Sequence, residues 1–380
     1  MSLYRFTHKS PGEASCGVCG RTGGDISRAL GVCRDCIIED TGNAREAVAR
    51  FRETARQGYS TPAFPPRTEE GATCRICVNR CRMGPGELGF CGLRENRSGK
   101  VHSRAGTSRA GLFTAYHDLL PTNCVADWVC PGCSPSGYPG YSFSRGPERG
   151  YNNLAVFLAA CSFDCLFCQN WSFRDNTEAL TPLRTPDELA GMVDGRTSCI
   201  CFFGGDPSPQ MPFSLTAARR ALERSRGRIL RICWETNGSM NPGLLRQAAS
   251  LSLETGGCLK FDIKAFDENL NRALTGTTNR QTLENVALAV ELTRSRPNPP
   301  PVIGSTLMVP GYVGAEEVGQ IARFLVSLDP DLPFSLLAFH PDYLMDDMGT
   351  TTARIAGECE AAAREAGLSR IKIGNVHLLR

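Results

Sequence analysis

The sequence predicts an α/β protein with a parallel sheet, either barrel-like or doubly wound, preceded by small cysteine-rich modules. Two observations carry this prediction. From residue 154 onward, short apolar segments alternate with longer amphipathic segments, which is the pattern of βα units. Before that point cysteine is the unusual residue, because 14 of the 19 cysteines lie in the first 168 residues.

The predicted strands are short and apolar, and the predicted helices between them are amphipathic. The strands are Leu154–Ala160, Cys199–Phe203, Ile229–Trp234, Cys258–Ile263, Val302–Val309, Phe334–Ala338 and Ile371–Ile373. The helices are Pro186–Val193, Leu215–Ser225, Pro242–Leu251, Leu283–Thr293, Ala315–Ser327 and Thr351–Ala366. Polar and glycine-rich residues follow the strands, and both architectures place their active sites there.

Bulk composition narrows the classes of protein. The chain has 380 residues, 41% of them apolar, which is enough for a large core and more than one domain. No apolar run approaches the ~20 residues that cross a bilayer, and residues 1–30 lack the apolar region of a secretory signal. A net charge of +3 gives no reason to expect a nucleic-acid partner. The expected compartment is the cytoplasm, where cysteines in C-x-x-C pairs bind metal rather than form disulfides.

Cys16-x2-Cys19 and Cys33-x2-Cys36 form the first cysteine group. Their spacing is typical of a zinc ribbon, in which four thiolates surround one ion. Iron of the rubredoxin type is the alternative, since four sulfur ligands suit either metal. With a predicted helix from Ala44 to Gln57, this group defines a module over residues 1–60, and Tyr59 to Arg67 is interpreted as a linker.

Residues 61–150 are predicted to be a second cysteine-rich segment, folded around metal. Cys74, Cys77, Cys81 and Cys91 could hold either zinc or an auxiliary [4Fe–4S] cluster. Cys124, Cys130 and Cys133 form a third group, for which His117 is a candidate fourth ligand; the alternative is free thiols near the active site. The later cysteines on strands are interpreted as inert small apolar side chains: Cys199, Cys201, Cys233 and Cys258.

The chemistry is predicted at Cys161-Ser-Phe-Asp-Cys165-Leu-Phe-Cys168, directly after the first strand of the alternating region. Four thiolates saturate a [4Fe–4S] cluster, so three leave one iron open to a substrate or cofactor. The competing interpretation is a zinc or ferredoxin site that recruits a fourth cysteine from elsewhere. Cys161, Cys165 and Cys168 are the predicted catalytic residues.

This C-x3-C-x2-C, with an aromatic residue before the last cysteine, resembles the signature of the radical S-adenosylmethionine (SAM) superfamily. Cys168-Gln-Asn is similar to the branch that holds glycyl-radical-enzyme activases, such as pyruvate formate-lyase activating enzyme, and their relatives. The set of Cys74, Cys77, Cys81 and Cys91 resembles the amino-terminal element of the activase-like proteins of the AmmeMemo group. The resemblance extends over about residues 154–343 and implies a partial (β/α)6 barrel over residues 151–380. Further motifs recur at strand ends: Gly204-Gly205-Asp206-Pro207, Glu235-Thr236-Asn237-Gly238, Asp262-Ile-Lys264, Met308-Val-Pro310-Gly311-Tyr312 and Phe339-His340-Pro341.

The resemblance also implies roles for these residues. Phe167 would support the adenine, Gly204, Gly205 and Asp206 would meet the SAM amino group, and His340 would lie near the sulfonium. Glu235, Thr236, Asn237, Asp262 and Lys264 would surround the SAM carboxylate, partly through a monovalent cation. Taken singly, these residues have ordinary structural interpretations: a turn, a solvated ion pair, core packing. Asp206 replaces the usual Glu.

The implied reaction is reductive cleavage of SAM at a [4Fe–4S] cluster, with an electron donor such as flavodoxin or ferredoxin. The 5′-deoxyadenosyl radical then abstracts a hydrogen atom from a substrate, which makes the chain an oxidoreductase. One hypothesis is a glycyl-radical activase acting on a partner protein; against it, Ser305 replaces the activases' Arg. Modification of another peptide or small molecule is the second hypothesis, and a non-catalytic iron–sulfur or zinc-ribbon sensor or electron carrier is the third.

Overall fold

A computed structural model describes residues 12–380. The first eleven residues, which belong to the predicted 1–60 module and to the region searched for a secretory signal, lie outside the described residues. None of the helices within residues 12–380 combines the length and apolar character needed to cross a bilayer.

The fold of the described residues is α/β and is built on a nine-stranded sheet of order β15-β14-β13-β12-β11-β10-β8-β7-β9. Neighbours from β8 to β15 in this order are parallel, whereas β7 runs antiparallel to β8 and β9 antiparallel to β7. The strands of this sheet are β7 (Gly111–Leu119), β8 (Asn152–Leu158), β9 (Leu183–Arg184), β10 (Thr197–Gly204), β11 (Arg231–Thr236), β12 (Leu259–Asp262), β13 (Val302–Met308), β14 (Phe334–Ala338) and β15 (Ile371–Gly374).

Helices follow most of the parallel strands and pack against the sheet. They are α3 (Phe173–Ala179), α4 (Pro186–Gly191), α5 (Met211–Arg224), α6 (Pro242–Thr255), α7 (Glu268–Thr275), α8 (Arg280–Thr293), α9 (Ala315–Leu328) and α10 (Ala353–Glu365). Two helices, α1 (Arg34–Ile38) and α2 (Gly42–Arg56), precede the sheet in the sequence. Three two-stranded hairpins precede the sheet: β1 (Ala14–Ser15) with β2 (Thr22–Gly23), β3 (Ala72–Thr73) with β4 (Arg82–Met83), and β5 (Arg94–Arg97) with β6 (Lys100–Ser103).

Local sequence explains where the helices begin and end. At α6, the Asn241 side chain accepts a hydrogen bond from Gly243 N, Pro242 occupies the first turn, and Gly256 ends the helix at φ 77°. The side chain of Thr185 caps α4 in a reciprocal capping box with Glu188. These signals fix the strand-to-helix turns and therefore the position of the strand ends.

Alternate residues of the parallel strands face opposite layers, as the pleat requires. One set, including Val156, Ile200, Phe202, Ile232 and Phe261, joins the main apolar core with the helices. The other set, which includes Cys201, Glu235 and Lys260, faces the interior of the partial barrel, where Lys260 bonds both of the other two side chains.

All seven predicted strands and all six predicted helices of the alternating region are present, with ends shifted by up to four residues. Sequence patterning missed α3 and α7, which are two turns long, and the antiparallel strand β7. Residues Phe113–Leu119 of β7 pair with Asn152–Leu158 of β8, although β7 lies in the segment predicted to fold around metal. Its first three residues are buried and its later ones are partly or fully exposed, with Tyr116 and Leu119 exposed, so the second half of β7 is open to solvent.

Candidate active site

The loop that carries Cys161, Cys165 and Cys168 lies at the carboxyl end of β8. Asp164 N donates to Thr275 O at 2.8 Å and Leu166 N donates to Leu274 O at 3.0 Å, so the loop is fixed to the end of α7. Phe163 N donates to the Cys161 sulfur at 3.3 Å, but burial outweighs this bond and raises the pKa of the Cys161 thiol. Cys165 is buried, whereas Cys161 and Cys168 are partly exposed.

Asp164, within this loop, is the centre of a buried charge network that sequence analysis missed. Its carboxylate lies 2.9 Å from Arg56 Nε and 3.6 Å from Arg52 Nη1, and it also pairs with Arg174 Nη2 at 2.5 Å. Burial opposes the charge of Asp164, but the three guanidinium groups outweigh it and hold the pKa of this carboxyl well below its usual range. The i,i+4 spacing of Arg52 and Arg56 on α2 was the available signal, because it places both side chains on one helix face.

Strand ends that are distant in sequence surround a single pocket with the three thiols. Nine of the ten residues predicted to contact SAM line this pocket, while His340, partly buried after β14, does not line it in the described chain. The nine are Phe167, Gly204, Gly205, Asp206, Glu235, Thr236, Asn237, Asp262 and Lys264.

Gly204 and Gly205 are required by close approach of backbone to backbone. At Gly204, where φ is 103°, a Cβ would lie 2.7 Å from Leu158 N, and at Gly205 it would lie 2.2 Å from Ala160 O. Gly205 N donates to Leu158 O at 2.8 Å. The glycine pair therefore holds the end of β10 against the end of β8, next to the cysteine loop.

Asp206 joins the ends of β10 and β11. It is 3% exposed, and its Oδ1 accepts hydrogen bonds from Thr236 Oγ1 and Asn237 N, both at 2.8 Å. Burial raises the pKa of Asp206, although these bonds oppose the shift. Asn237 Nδ2 in turn lies 3.7 Å from the Cys161 sulfur and donates to Ser162 Oγ at 2.9 Å. Asp206 therefore positions Asn237 beside the first cysteine.

Two ion pairs complete the pocket. Lys260 Nζ donates to Glu235 Oε2 at 3.0 Å, and Lys264 pairs with Asp262. Burial opposes the charge of Lys264, but Asp262 outweighs it and raises the pKa of the ammonium group. The Oδ1 atom of Asp262 is buried and has no hydrogen-bond partner in the described chain. A carboxylate oxygen left in this state is a position for a cation or a hydrogen-bond donor of a ligand.

The donor set of this pocket fits an iron–sulfur cluster with one open position. Three thiols from one loop are available, and the strand ends opposite supply carboxylates and amides that can bind a polar ligand. Comparison with protein families matches residues 156–325 to the Radical SAM superfamily. The chain contains a radical SAM domain. This family implies SAM and a [4Fe–4S] cluster, and it supports SAM cleavage in general terms.

The curated relatives of the chain share 25% and 28% identity with it. An uncharacterized protein of Methanocaldococcus jannaschii, MJ0808, is 25% identical over 309 residues, 80% of this chain and 81% of that protein. The isethionate sulfite-lyase activating enzyme of Oleidesulfovibrio alaskensis is 28% identical over 198 residues, 50% of this chain and 59% of that enzyme. Among solved structures, a domain of pyruvate-formate lyase-activating enzyme from Bacteroides vulgatus shares 22% identity, with a TM-score of 0.35 over 46% of this chain and 98% of that domain.

The first cysteine group forms a compact metal-binding set beside the radical SAM domain. The thiols of Cys16, Cys19, Cys33 and Cys36 lie within 4.8 Å of one another. Cys19 and Cys33 have their sulfurs 3.8 Å apart, which equals the edge of a tetrahedron with metal–sulfur bonds of about 2.3 Å. Burial opposes ionisation of Cys16, but backbone N–H groups of residues 18, 19 and 33 lower the pKa of its thiol to about 6. The group can therefore hold one ion.

The late Pro310-Gly311-Tyr312 motif holds this compact set against the radical SAM domain. The buried Tyr312 hydroxyl accepts from Ser27 N at 3.1 Å and donates to Val32 O at 3.0 Å. At Gly311, where φ is 75°, a Cβ would lie 1.9 Å from Asp25 O. Only glycine permits this approach.

The second cysteine group surrounds a small cavity next to the radical SAM domain. Cys74, Cys77, Cys81 and Cys91 all line it, and Phe90 N donates to the Cys81 sulfur at 3.4 Å. Val78 N donates to Ser239 O and Asn241 N to Ile76 O, so the group is attached to the loop after β11. A neighbouring cavity is lined by both Cys91 and Cys161.

The third group, Cys124, Cys130 and Cys133, is partly exposed and packs against the strand residues that face the interior of the partial barrel. The prediction that His117 joins it is wrong, because that ring is on β7 and bonds Met192 O at 2.9 Å. The cysteines nearest to the third group are instead those of the strands, including Cys233 and Cys258.

Proposed function

We propose that this protein is a radical SAM oxidoreductase that cleaves SAM reductively and uses the 5′-deoxyadenosyl radical to abstract hydrogen from a substrate. Cys161, Cys165 and Cys168 would hold the [4Fe–4S] cluster, which supplies one electron that breaks the S–C5′ bond and yields methionine. The observation that carries the proposal is the shared pocket. Three thiols on one loop face polar groups from the ends of β10, β11 and β12.

The chain's own residues would bind and orient SAM. The unpartnered Oδ1 of Asp262 suits the SAM amino group or a cation at the SAM carboxylate, and Lys264 offsets the charge of Asp262. Phe167, buried with Lys264 Nζ 5.8 Å from its ring centre, forms an apolar wall for the adenine. Asn237 lies beside Cys161, where an amide can order a ligand at the open iron.

The proposed substrate is one on which enzymes of the activase-like branch, or close relatives of that branch, act. A named activating enzyme among the relatives supports a glycyl-radical activase, which takes hydrogen from a glycine Cα of a partner protein. Ser305 supports the alternative of another peptide or small molecule. It is 2% exposed and donates to Phe261 O at 3.3 Å, so it cannot supply the cation found at that position in activases.

The remaining metals and the redox partner complete the proposal. The compact Cys16 group is proposed to hold zinc, with iron as the alternative, and Cys74, Cys77, Cys81 and Cys91 an auxiliary [4Fe–4S] cluster or zinc. A flavodoxin or ferredoxin in a reducing cytoplasm would donate the electron. Exposed iron–sulfur clusters persist in such surroundings.

Anaerobic reconstitution with iron and sulfide, followed by addition of SAM and dithionite, tests the proposal. The expected products are methionine and 5′-deoxyadenosine in equal amounts from the wild type and from a Cys359→Ser control, and none from Cys161→Ser or Cys165→Ser. Failure of the wild type to form them would exclude the enzyme and favour a sensor. Adding a glycyl radical enzyme and recording its EPR doublet then separates the activase from the alternative.

A further inference from the structure

Four cysteines of the parallel strands line the interior of the partial barrel side by side. Cys201 on β10 is the register partner of Cys233 on β11, and Cys199 lies two residues earlier on the same face of β10. Cys258 immediately precedes β12, and Trp234 N donates to its carbonyl at 2.9 Å, which brings it next to Cys233. Barrel interiors are usually filled by bulky branched side chains, so this layer of thiols is unusual.

The loop that carries the third cysteine group packs against these four cysteines. Cys124 and Cys130 pack in one apolar cluster with Cys233, Cys258 and Ile303. The covering loop is held in place by Trp128, whose Nε1 donates to Ser335 Oγ at 3.1 Å, and Ser335 Oγ donates to Val125 O at 2.7 Å. Seven cysteines from separate parts of the chain therefore meet inside the barrel, and we call them the barrel thiols: Cys124, Cys130, Cys133, Cys199, Cys201, Cys233 and Cys258.

Buried positive charge surrounds the barrel thiols. Lys260, 2% exposed, donates to the Cys201 sulfur at 3.0 Å and to the Cys124 sulfur at 3.1 Å. Arg231 and Arg296 also interact electrostatically with these cysteines. Glu148 pairs with Arg231 at 2.6 Å and Glu235 with Lys260 at 3.0 Å, whereas the hydrogen bonds described for Arg296 go to the carbonyls of residues 252, 257 and 299.

Three cations thus face two carboxylates. An uncompensated buried charge is expensive, and neutral thiols are weak hydrogen-bond acceptors for an ammonium group. Thiolates bound to iron would supply the missing negative charge and accept the Lys260 hydrogen bonds. The charge distribution therefore suits an anionic metal–thiolate group better than seven neutral thiols.

The spacing of the sulfurs distinguishes a cluster from a single ion. Within residues 12–380, only the Cys16 group brings three or more ligand atoms within 4.8 Å of one another. No three of the barrel thiols lie so close to one another, but Cys130 interacts with the side chain of Cys133, and Cys233 with that of Cys258. Two separate pairs of thiols do not surround one zinc ion, whereas the two irons of a [2Fe–2S] cluster are each bound by two cysteines.

We propose that the barrel thiols bind a second iron–sulfur cluster, inside the barrel and beneath the SAM pocket. Cys130 and Cys233 are the central ligands, because each interacts with thiols from several segments. Lys260 connects this site to the SAM pocket, since it bonds both the thiols and Glu235, which lines that pocket. The proposal does not depend on SAM cleavage, because the cluster can be counted without SAM.

The first test substitutes the central ligands in the full-length chain. Wild type, Cys130→Ser/Cys233→Ser and the matched control Cys359→Ser, a buried cysteine on α10, are reconstituted anaerobically with iron and sulfide. The double variant should lose two to four irons and as many sulfides per chain, the content of one [2Fe–2S] or [4Fe–4S] cluster, while the control loses none. Equal iron and sulfide in all three proteins would overturn the proposal.

A second measurement keeps the proposal testable if the double variant does not fold. A variant with serine at the other two cluster sets, Cys74, Cys77, Cys81, Cys91, Cys161, Cys165 and Cys168, retains the barrel thiols. Its Mössbauer spectrum after reconstitution with ⁵⁷Fe should contain an iron–sulfur cluster. A spectrum without a cluster, or a protein that binds only zinc, would overturn the proposal.

Discussion

Replacing Asp164 with Asn removes the one negative charge that three buried guanidinium groups share. The side chain keeps its size, but Arg52, Arg56 and Arg174 are left with 2%, 7% and 6% exposure and no carboxylate between them. Removing one partner of a buried ion pair costs about 3–5 kcal/mol. Because Asp164 joins α2 and α3 to the cysteine loop, most of this loss should appear as easier opening of that loop.

Amide hydrogen exchange measures this opening directly. The amides of Asp164 and Leu166 donate to the carbonyls of Thr275 and Leu274, so they exchange only when the loop leaves α7. A loss of about 3–5 kcal/mol corresponds to exchange roughly 10² to 10³·⁵ times faster, at about 1.4 kcal/mol per factor of ten.

The matched control is Asp187→Asn, which removes an exposed partner of Arg224 and should change stability by less than about 1 kcal/mol. Exchange of the loop amides in Asp164→Asn within threefold of the wild-type rate would refute the role given to this carboxylate.

Three further predictions concern the packing and charge of the same region. Gly205→Ala places a Cβ within 2.2 Å of a backbone oxygen and should therefore lower the free energy of unfolding, measured by urea denaturation, by about 1–3 kcal/mol. The control Gly195→Ala, where the Cβ meets open space, should change this free energy by less than about 0.5 kcal/mol. Tyr312→Phe leaves a buried N–H and a buried carbonyl unpaired, and should cost about 1–3 kcal/mol, seen as faster cleavage of residues 25–32 in limited proteolysis; unchanged cleavage would contradict the docking role. The pKa of the Asp164 carboxyl is lower in the folded than in the unfolded protein, so its contribution to stability is complete above the unfolded pKa of about 3.9 and is lost as the pH falls toward the folded pKa. The difference in the free energy of unfolding between wild type and Asp164→Asn should therefore be constant above about pH 5 and shrink below about pH 4. A difference that stays constant down to about pH 2 would contradict this assignment.

Much of the fold could be predicted from sequence because the barrel strands are buried on both faces and the helices are amphipathic. Near-continuous apolar segments such as Val302–Met308 are strong signals, and the caps of α6 are visible as Asn241, Pro242 and Gly256. Strand β7 was missed because it is half exposed and follows a glycine-rich stretch. Its place in the sheet depends on pairing with β8, which no local pattern reveals.

The residues of the candidate site also divide into those that the sequence predicts and those that it does not. Residues adjacent to a motif, such as Gly205 and Asp262, could be named from sequence because a parallel sheet brings strand ends together. Asp164 carries no local signal of its role, since two of its three partners, Arg52 and Arg56, come from a helix more than 100 residues earlier. From sequence alone, the barrel thiols divide into four inert cysteines on strands and an incomplete triad. Only the strand register and the covering loop show that the two sets meet.

The central claim is that SAM binds at an open iron of a cluster held by Cys161, Cys165 and Cys168, in the pocket formed by the strand ends. Electron–nuclear double resonance of the reduced protein with SAM labelled with ¹⁵N at the amino group and ¹⁷O at the carboxylate tests this claim most directly. The account predicts hyperfine coupling of both labels to the cluster in the wild type and in Cys359→Ser, and its loss in Cys168→Ser. A reduced cluster that binds labelled SAM without coupling, or coupling that survives Cys168→Ser, would contradict it.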